Sequence, residues 1–277
     1  MQTHNAHHTF YFSPDSALWK VNREQVLLLG GARALLLQVA HPLVAEAVYD
    51  HSYVFHRPIK RLLRTLDLTL KMVFGTREEV LEAARTVNQT HQPVTGVLGE
   101  AVGHYPTGTP YDANDLELKL WVYATLVEGA VSTYERLVGP LTNAEKQSFF
   151  EDSCEFVALL GVQKSHLPAS YDDLCLYMED MIESGGVIVS RKAREIAPFI
   201  MAETYPILRP LALPPSRITV GLLPPTLRQQ YGYSLSRWEA KALDAFCAWS
   251  RRSVPFLPPQ VRYVWPYLRA QRMARRS

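Results

Sequence analysis

Helix-start signals recur along the whole chain and constrain its fold more than any other feature. A Ser, Thr or Asn followed three residues later by Glu or Gln satisfies the free N–H groups of a first helical turn. Such capping boxes begin at Asn22, Thr76, Thr142 and Ser236. The alternation of apolar and polar residues that is typical of strands is scarce. The sequence therefore predicts an all-α fold, a single globular domain of many helices.

The spacing of apolar residues gives the approximate helix boundaries. The short run Val187–Val189 is interpreted as a helix start, and the prolines from Pro206 to Pro215 as an irregular connection. The predicted helices cover 22–40, 42–52, 58–73, 77–103, 113–138, 142–160, 171–184, 188–202, 224–231, 237–252 and 258–273.

Composition excludes several classes of function. A net charge of +2 over 277 residues is too small to indicate a nucleic-acid partner. The three cysteines are widely spaced and form no Cys-x-x-Cys motif, which argues against structural zinc, c-type haem and a disulfide framework. Glu-x-x-His and His-Glu-x-x-His pairs are also absent, so spacing gives little support to non-haem metal.

The two termini of the chain and its hydropathy profile predict how the domain is organised. The first 20 residues are polar and lack a secretory signal, and no apolar run approaches the roughly 20 residues of a membrane span. We expect a cytoplasmic protein without a transmembrane segment, for which peripheral membrane contact stays open. The predicted divisions are a polar segment 1–20, a helical domain 20–265 and a basic tail 266–277.

The apolar segment from Gly31 to Ala45 carries polar residues that a simple core helix does not need. Arg33, Gln38 and His41 lie within it, and His41 stands directly before a proline. Burying such a group without a partner costs about 1–3 kcal/mol. The segment therefore predicts a helix pair that faces a polar ligand or a cofactor.

A second candidate region surrounds His91 in the predicted helix 77–103. Pro93 is expected to kink that helix next to the histidine. Gly96, Gly99 and Gly103 follow at spacings of three and four, which would place them on one helix face. A row of glycines indicates close approach to the backbone, by another helix or by a flat cofactor.

Two further helices carry candidates for binding. Arg61 and Thr65 are four residues apart, a spacing that suits a carboxylate anchor or, alternatively, an exposed basic edge. Trp121, Thr125 and Glu128 share one side of the helix 113–138. They form either core packing with one buried acid or the wall of a pocket.

Taken in order, these segments resemble the family of rubber oxygenases (latex clearing proteins) and MpaB-type oxygenases. The likeness runs from about residue 20 to 265 and is dense between 25 and 140. The matching segments are Gly31-x-Arg-Ala-Leu-Leu-Leu-Gln-x-Ala-His-Pro42, His51-Ser52, Pro58-x-x-Arg61-x-x-x-Thr65, Phe74-Gly75, His91-x-x-Val94-x-Gly96 and Trp121-Val-x-Ala-Thr-Leu-Val127.

The resemblance implies an all-helical protein with a b-type haem in a slot between helices. By position, His91 matches the histidine that ligates the iron, and Arg61 and Thr65 match catalytic residues of an upstream motif. Rubber-cleaving members have an iron-ligating lysine just before that threonine, where this chain has Arg64. Arginine stays protonated and cannot ligate iron.

The remaining predicted site residues surround this haem. His41 is assigned to the distal, catalytic side, and Arg33 to the distal or propionate environment. The other predicted cofactor-binding residues are Arg64, Gly96 and Gly99.

The function implied is a haem b-dependent oxygenase. It would use dioxygen to oxidise an apolar, unsaturated or isoprenoid-like small molecule, with cleavage of a double bond as one possible outcome. One alternative is a non-catalytic haem or lipid carrier, which the change to Arg64 keeps open. Another is a non-haem iron enzyme that uses His41, His51 and His91.

Overall fold

Helices make up 71% of the computed structural model, which confirms the predicted all-α fold as a single, mostly helical domain. It describes residues 10–52, 55, 58–201 and 209–275. Fourteen α-helices lie within these ranges, namely α1 (Ala17–Asn22), α2 (Gly31–Ala40), α3 (Pro42–His51), α4 (Pro58–Phe74), α5 (Arg77–His91), α6 (Leu116–Leu137), α7 (Asn143–Ala158), α8 (Tyr171–Glu183), α9 (Arg191–Ile200), α10 (Arg209–Leu222), α11 (Pro225–Gln230), α12 (Arg237–Ser253), α13 (Pro259–Arg262) and α14 (Trp265–Ala274).

Short elements complete the described part of the chain. One antiparallel hairpin joins β1 (Thr95–Val97) to β2 (Pro110–Asp112), with Gly96 opposite Tyr111. The 3₁₀ helices are Gln25–Gly30, Lys164–His166 and Val254–Phe256.

Helix α6 lies at the centre of the core. Its residues Trp121 and Val131 are fully buried, and α1, α2, α7, α8 and α12 pack around it. The indole N–H of Trp121 donates to the carbonyl of Leu37 at 3.0 Å, which fixes α6 against α2. Phe10 and Tyr267 join the same core, so it extends beyond residues 20 and 265.

Three of the four predicted capping boxes are confirmed, at Thr76, Thr142 and Ser236. The fourth, at Asn22, is wrong because Asn22 is the last residue of α1 and its amide donates to the carbonyl of Leu18. The predicted helix 22–40 is therefore interrupted. The 3₁₀ helix begins after Glu24, whose buried carboxylate pairs with Arg262 at 2.8 Å.

The predicted helix 77–103 is also wrong, because α5 ends at His91. Gln92 still has helical angles as the C-cap, but Pro93 has no N–H to donate to the carbonyl of Gln89, so the helical hydrogen bonds stop there and Pro93 ends the helix instead of kinking it. The β1–β2 hairpin follows, and period-two alternation over three residues is too short to reveal such strands.

Three other predictions differ from the structure. The predicted helix 258–273 is divided into α13 and α14, because Tyr263 and Val264 are extended. Val187–Val189 precedes a helix without joining it, because Ser190 caps α9 and its hydroxyl accepts from the N–H of Ala193. The proline-rich stretch is helical from Arg209 onward, while residues 202–208 lie outside the described ranges.

Within the described ranges, no helix alone has the length and hydropathy needed to cross a membrane. One pair of segments, Gln25–Ala40 with Pro42–His51, has them only when joined, and it bends by 104°.

Candidate functional site

Helices α4 and α5 form an antiparallel hairpin that brings Arg61 and His91 to the same end. The turn is tight because Gly75 donates to the carbonyl of Lys71 at 2.8 Å and Thr76 caps α5 at once. Arg61 lies 13 residues before Phe74 and His91 lies 14 residues after Arg77. At 1.5 Å per residue, both lie about 20 Å from the turn.

His91 is a half-buried imidazole without a hydrogen-bond partner among the described residues. Burial lowers the pKa of His91, and the positive charge of Lys119 acts in the same direction. The ring is therefore neutral near pH 7 and carries a free lone pair. The backbone carbonyl of His91 accepts from the N–H of Val94 at 3.0 Å and from the Asn114 amide at 3.4 Å, which fixes the helix end.

Arg61 is half-buried, and the described chain gives it neither an ion pair nor a hydrogen bond. Burial lowers the pKa of Arg61, and no nearby carboxylate offsets that effect. Arg64 and Thr65 are exposed on the same helix. A guanidinium in such a position is suited to an anionic group, which the described residues do not supply.

His41 differs from His91 because both of its ring nitrogens have protein partners. As the N-cap of α3, it accepts through Nδ1 from the N–H of Leu43 at 3.3 Å, and Pro42 occupies the first helical position. Its Nε2 lies 3.3 Å from the Tyr105 hydroxyl, which donates to the carbonyl of Gly186 at 3.0 Å. Because Nδ1 accepts, the proton of the neutral ring is on Nε2.

Burial lowers the pKa of His41 to about 4, although the charge of Asp115 opposes the shift. The histidine is thus kept neutral and serves to hold the loop around Tyr105 against α3. The sequence did not indicate Tyr105, because a tyrosine 64 residues away carries no local signal of this contact.

Arg33 is 5% exposed, and its donors are directed at protein groups. It forms two hydrogen bonds to the carboxylate of Glu128, at 2.7 and 3.1 Å, and its Nε donates to the carbonyl of Leu222 at 2.8 Å. Trp121 and Thr125 are fully buried, so the core-packing alternative for this side of α6 is confirmed. Arg33 ties α2 to α6 and to the end of α10.

The glycine row does not form, because Gly96 belongs to β1 and Gly99 to the loop beyond it. A Cβ on Gly96 would lie 2.4 Å from the hydroxyl oxygen of Tyr111, and a Cβ on Gly99 would lie 3.1 Å from a carboxylate oxygen of Glu46. Protein side chains therefore occupy the space beside both residues. The predicted slot at Gly96, Gly99 and Gly103 is wrong in its geometry, and Gly103 lies in a turn at positive φ.

An ion network that the sequence did not indicate joins α3, the β hairpin and α9. Lys192 donates to Glu46 at 2.8 Å and to Asp50 at 3.1 Å. Burial acts to lower the pKa of Lys192, but these carboxylates outweigh it and raise the value. Tyr111 donates to Asp50 at 3.0 Å and lies 3.1 Å from Nε2 of His51.

The histidines His41, His51 and His91 do not gather into a metal site. Each of the first two has its own protein partners, and nowhere in the described ranges do three His, Cys, Asp or Glu side chains converge as metal ligands would. A pocket of about 20 Å³ lies beside Phe74 and Arg269, at the opposite end of the α4–α5 hairpin from His91. It has room for about one water molecule.

The fold is that of a helical domain in which Arg61 and His91, at one end of two antiparallel helices, have no side-chain partners among the described residues. Residues 19–252 match the family described as ER-bound oxygenase mpaB/B′ and rubber oxygenase, catalytic domain. The chain belongs to this family of oxygenase catalytic domains. It is therefore related to oxidoreductases.

Two curated relatives, both uncharacterised proteins, come from Mycobacterium bovis and Mycobacterium tuberculosis. Each is 27% identical over 141 residues, which cover 50% of this chain and 52% of the relative. The matched region thus spans about half the length of these relatives. No solved structure matches the chain significantly.

Proposed function

We propose that the domain is a haem b-dependent oxygenase in which His91 is the axial iron ligand. The observation that carries this proposal is the pair His91 and Arg61, whose side chains lack partners among the residues that the structure describes, at one end of the α4–α5 hairpin of an oxygenase-family chain. Dioxygen and an apolar, unsaturated or isoprenoid-like small molecule would be its substrates.

The residues at the hairpin end fit haem in charge and in donor chemistry. A neutral imidazole is a common haem ligand, and His91 has no competing hydrogen-bond partner in the described ranges. Haem b carries propionate groups, which suit the free donors of Arg61 and the exposed hydroxyl of Thr65 one turn along α4. Arg64 is exposed and would contribute positive charge beside them.

Bound haem would supply the activation of dioxygen, while the chain binds, orients and shields. The Val94 and Asn114 bonds to the His91 carbonyl would hold the helix end and so aim the imidazole. Arg33 is hydrogen-bonded to Glu128 and His41 to Tyr105, so we assign both residues to the scaffold around the site.

An apolar substrate is supported by the surface of α4. Ile59, Leu62 and Leu63 are exposed in the same two turns as Arg61. Exposed aliphatic side chains beside a candidate site favour a ligand with hydrocarbon surface. The unpaired cysteines Cys154, Cys175 and Cys247 accord with the reducing cytoplasm that we propose as its location.

The first test is the absorption spectrum of the purified protein with a pyridine haemochrome assay. We expect a stoichiometric Soret band in the wild type and its loss in His91→Gly. Added imidazole should restore the band in His91→Gly, because it replaces the missing ligand without repairing any structural contact. His166→Ala, on an exposed 3₁₀ helix, is the control and should keep the band. A wild type that stays colourless after haem is supplied would overturn the proposal.

Turnover separates an oxygenase from a haem carrier. Oxygen uptake should rise when isoprenoid alkenes are added to the haem-loaded protein, and the oxidised products should be detectable by mass spectrometry. Haem binding without oxygen-dependent turnover across such a panel would favour the non-catalytic alternative.

A further inference from the structure

The outer surface of α12 and the turn after it form an exposed aromatic patch. Trp238 is 76% exposed, Trp249 62% and Phe256 88%. The two tryptophans are eleven residues apart, about three helical turns, so they lie on one face of α12. Leu243, Cys247 and Ser250 lie on the opposite face and are buried. Helix α12 thus has one face in the core and a second apolar face exposed.

The patch continues past the end of α12. The guanidinium of Arg262 lies 3.4 Å from the carbonyl of Pro255, which holds α13 against the turn that carries Phe256. Leu257 and Val261 are both exposed in this segment. Exposed aromatic and aliphatic side chains therefore extend along α12 from Trp238 and continue into the segment after Ser253. We call these residues, Trp238, Trp249, Phe256, Leu257 and Val261, the α12 patch.

Basic residues outnumber acidic residues along the C-terminal segment that carries the α12 patch. Residues 237–275 contain eight Lys or Arg and two acidic residues, whereas the whole chain has a net charge of only +2. Both acids are already paired, Glu239 with Arg217 and Asp244 with Arg136. Two of the basic residues are paired as well, Arg262 with Glu24 and Arg269 with Glu79. Lys241 and Arg252 follow the two tryptophans by three residues on the same exposed face, and the described chain gives neither an ion pair.

We propose that the α12 patch docks the protein on an anionic lipid surface. Tryptophan is enriched at membrane interfaces because its ring is apolar and its N–H is polar. Lys and Arg beside it are attracted to acidic headgroups, and aliphatic side chains enter the boundary of the acyl chains. A second copy of this chain is a poorer occupant, since a symmetric contact would bring like charges together.

Sedimentation with vesicles tests this proposal independently of haem. Vesicles of phosphatidylcholine and phosphatidylserine in equal amounts should bind the wild type, and vesicles of phosphatidylcholine alone should bind it far less. Added salt should weaken the binding, since it screens the charges. No binding to the acidic vesicles would overturn the proposal.

Two double variants separate the apolar from the charged contribution. Trp249→Ser with Phe256→Ser, and Lys241→Glu with Arg252→Glu, should each reduce binding to the acidic vesicles at least about tenfold. All four residues are exposed, so the variants should keep the wild-type thermal unfolding curve. Binding equal to the wild type in both would contradict a docking role.

Matched controls lie elsewhere on the surface. Leu176→Ser removes an exposed apolar side chain from α8, and Arg85→Glu with Lys164→Glu reverses two charges away from α12. Both should bind acidic vesicles like the wild type. Equilibrium sedimentation without lipid completes the test. A wild-type dimer that Trp249→Ser with Phe256→Ser turns into a monomer would make the α12 patch a self-association surface instead.

Discussion

Two regions of this molecule each contain an arginine and a histidine, and the two pairs differ in whether their side chains have protein partners among the described residues. In the α2–α3 segment, Arg33 in the first turn of α2 pairs with Glu128, and His41 at the start of α3 is held by Leu43 and Tyr105. At the open end of the α4–α5 hairpin, the side chains of Arg61 and His91 have no such partners among the described residues.

Burial lowers the pKa of both histidines, so burial alone does not distinguish a structural group from a binding group. The two histidines differ in whether their ring nitrogens have hydrogen-bond partners within the described part of the protein. A buried polar group with all its partners stabilises one arrangement of the chain, whereas one without them costs free energy until a ligand arrives. Four variants test this comparison, ordered from the largest expected effect to the smallest.

Replacing Arg33 should have the largest effect. Arg33→Met leaves the carboxylate of Glu128 without its bidentate partner and the carbonyl of Leu222 without a donor. Breaking one side of a buried ion pair costs about 3–5 kcal/mol, and we expect that loss in the free energy of unfolding by urea. Arg85→Met, from an exposed pair on α5, is the control and should unfold like the wild type. A loss below about 1 kcal/mol in Arg33→Met would show that Arg33 is not structural.

The pH dependence of stability comes next in size. His41 is neutral when folded because its pKa is lowered to about 4, whereas in the unfolded chain it takes up a proton near pH 6.5. Its contribution is therefore complete above pH 6.5 and is lost as the pH falls from about 6.5 to 4. Between pH 7 and 5 the loss should be about 2 kcal/mol.

The matched variant isolates this effect from that of His91, which acts in the same direction. His41→Asn keeps an N-cap acceptor but cannot titrate. Urea unfolding at pH 7 and pH 5 should show a pH-dependent loss about 2 kcal/mol smaller in His41→Asn than in the wild type. An equal loss in the two proteins would mean that His41 is not held neutral.

A variant of Gly96 tests whether the β1–β2 hairpin supports the fold or lines the proposed haem site. Gly96→Ala places a Cβ 2.4 Å from the hydroxyl oxygen of Tyr111, so the tyrosine must shift away from Asp50. We expect a loss of at least about 1 kcal/mol in unfolding free energy and an unchanged Soret maximum. Gly139→Ala, with open space around its backbone, is the control. A shifted Soret maximum at unchanged stability would return Gly96 to the cofactor site.

Arg61 should show the smallest effect on stability and the opposite sign. Arg61→Met removes a half-buried charge that has no ion pair among the described residues, so the haem-free protein should be equally stable or up to about 1 kcal/mol more stable. Haem, in contrast, should dissociate faster from the variant, as followed by transfer to a scavenger protein. A destabilised haem-free protein with unchanged haem release would place Arg61 in the scaffold with Arg33.

Much of the fold follows from local signals, and the failures have local causes. Thr76, Thr142 and Ser236 were found because a capping box is completed within one helical turn. Asn22 has the same spacing but does not cap a helix, because its side-chain amide donates to the carbonyl of Leu18 in the preceding turn. Helix α5 was predicted too long because Pro93 was expected to kink the helix rather than end it.

The candidate site was predicted in its residue types and only partly in its arrangement. Arg61 and His91 were selected from spacing and resemblance, and the α4–α5 hairpin brings them to one end of the domain. The role of His91 as the iron ligand and that of Arg61 as a catalytic and haem-binding residue stay predictions. Arg33 and His41 were selected in the same way, yet their protein partners place them in the scaffold.

By itself, the sequence determined the helical class, most helix starts and the polar residues that required an explanation, because each depends on neighbours within a few residues. Only the tertiary structure decided which of those polar residues are satisfied. Glu128 lies 95 residues from Arg33 and Tyr105 lies 64 from His41, and such contacts are set by packing around α6 rather than by local pattern. Within the described part of the chain, the same packing leaves the side chains of Arg61 and His91 without partners, which no local pattern revealed.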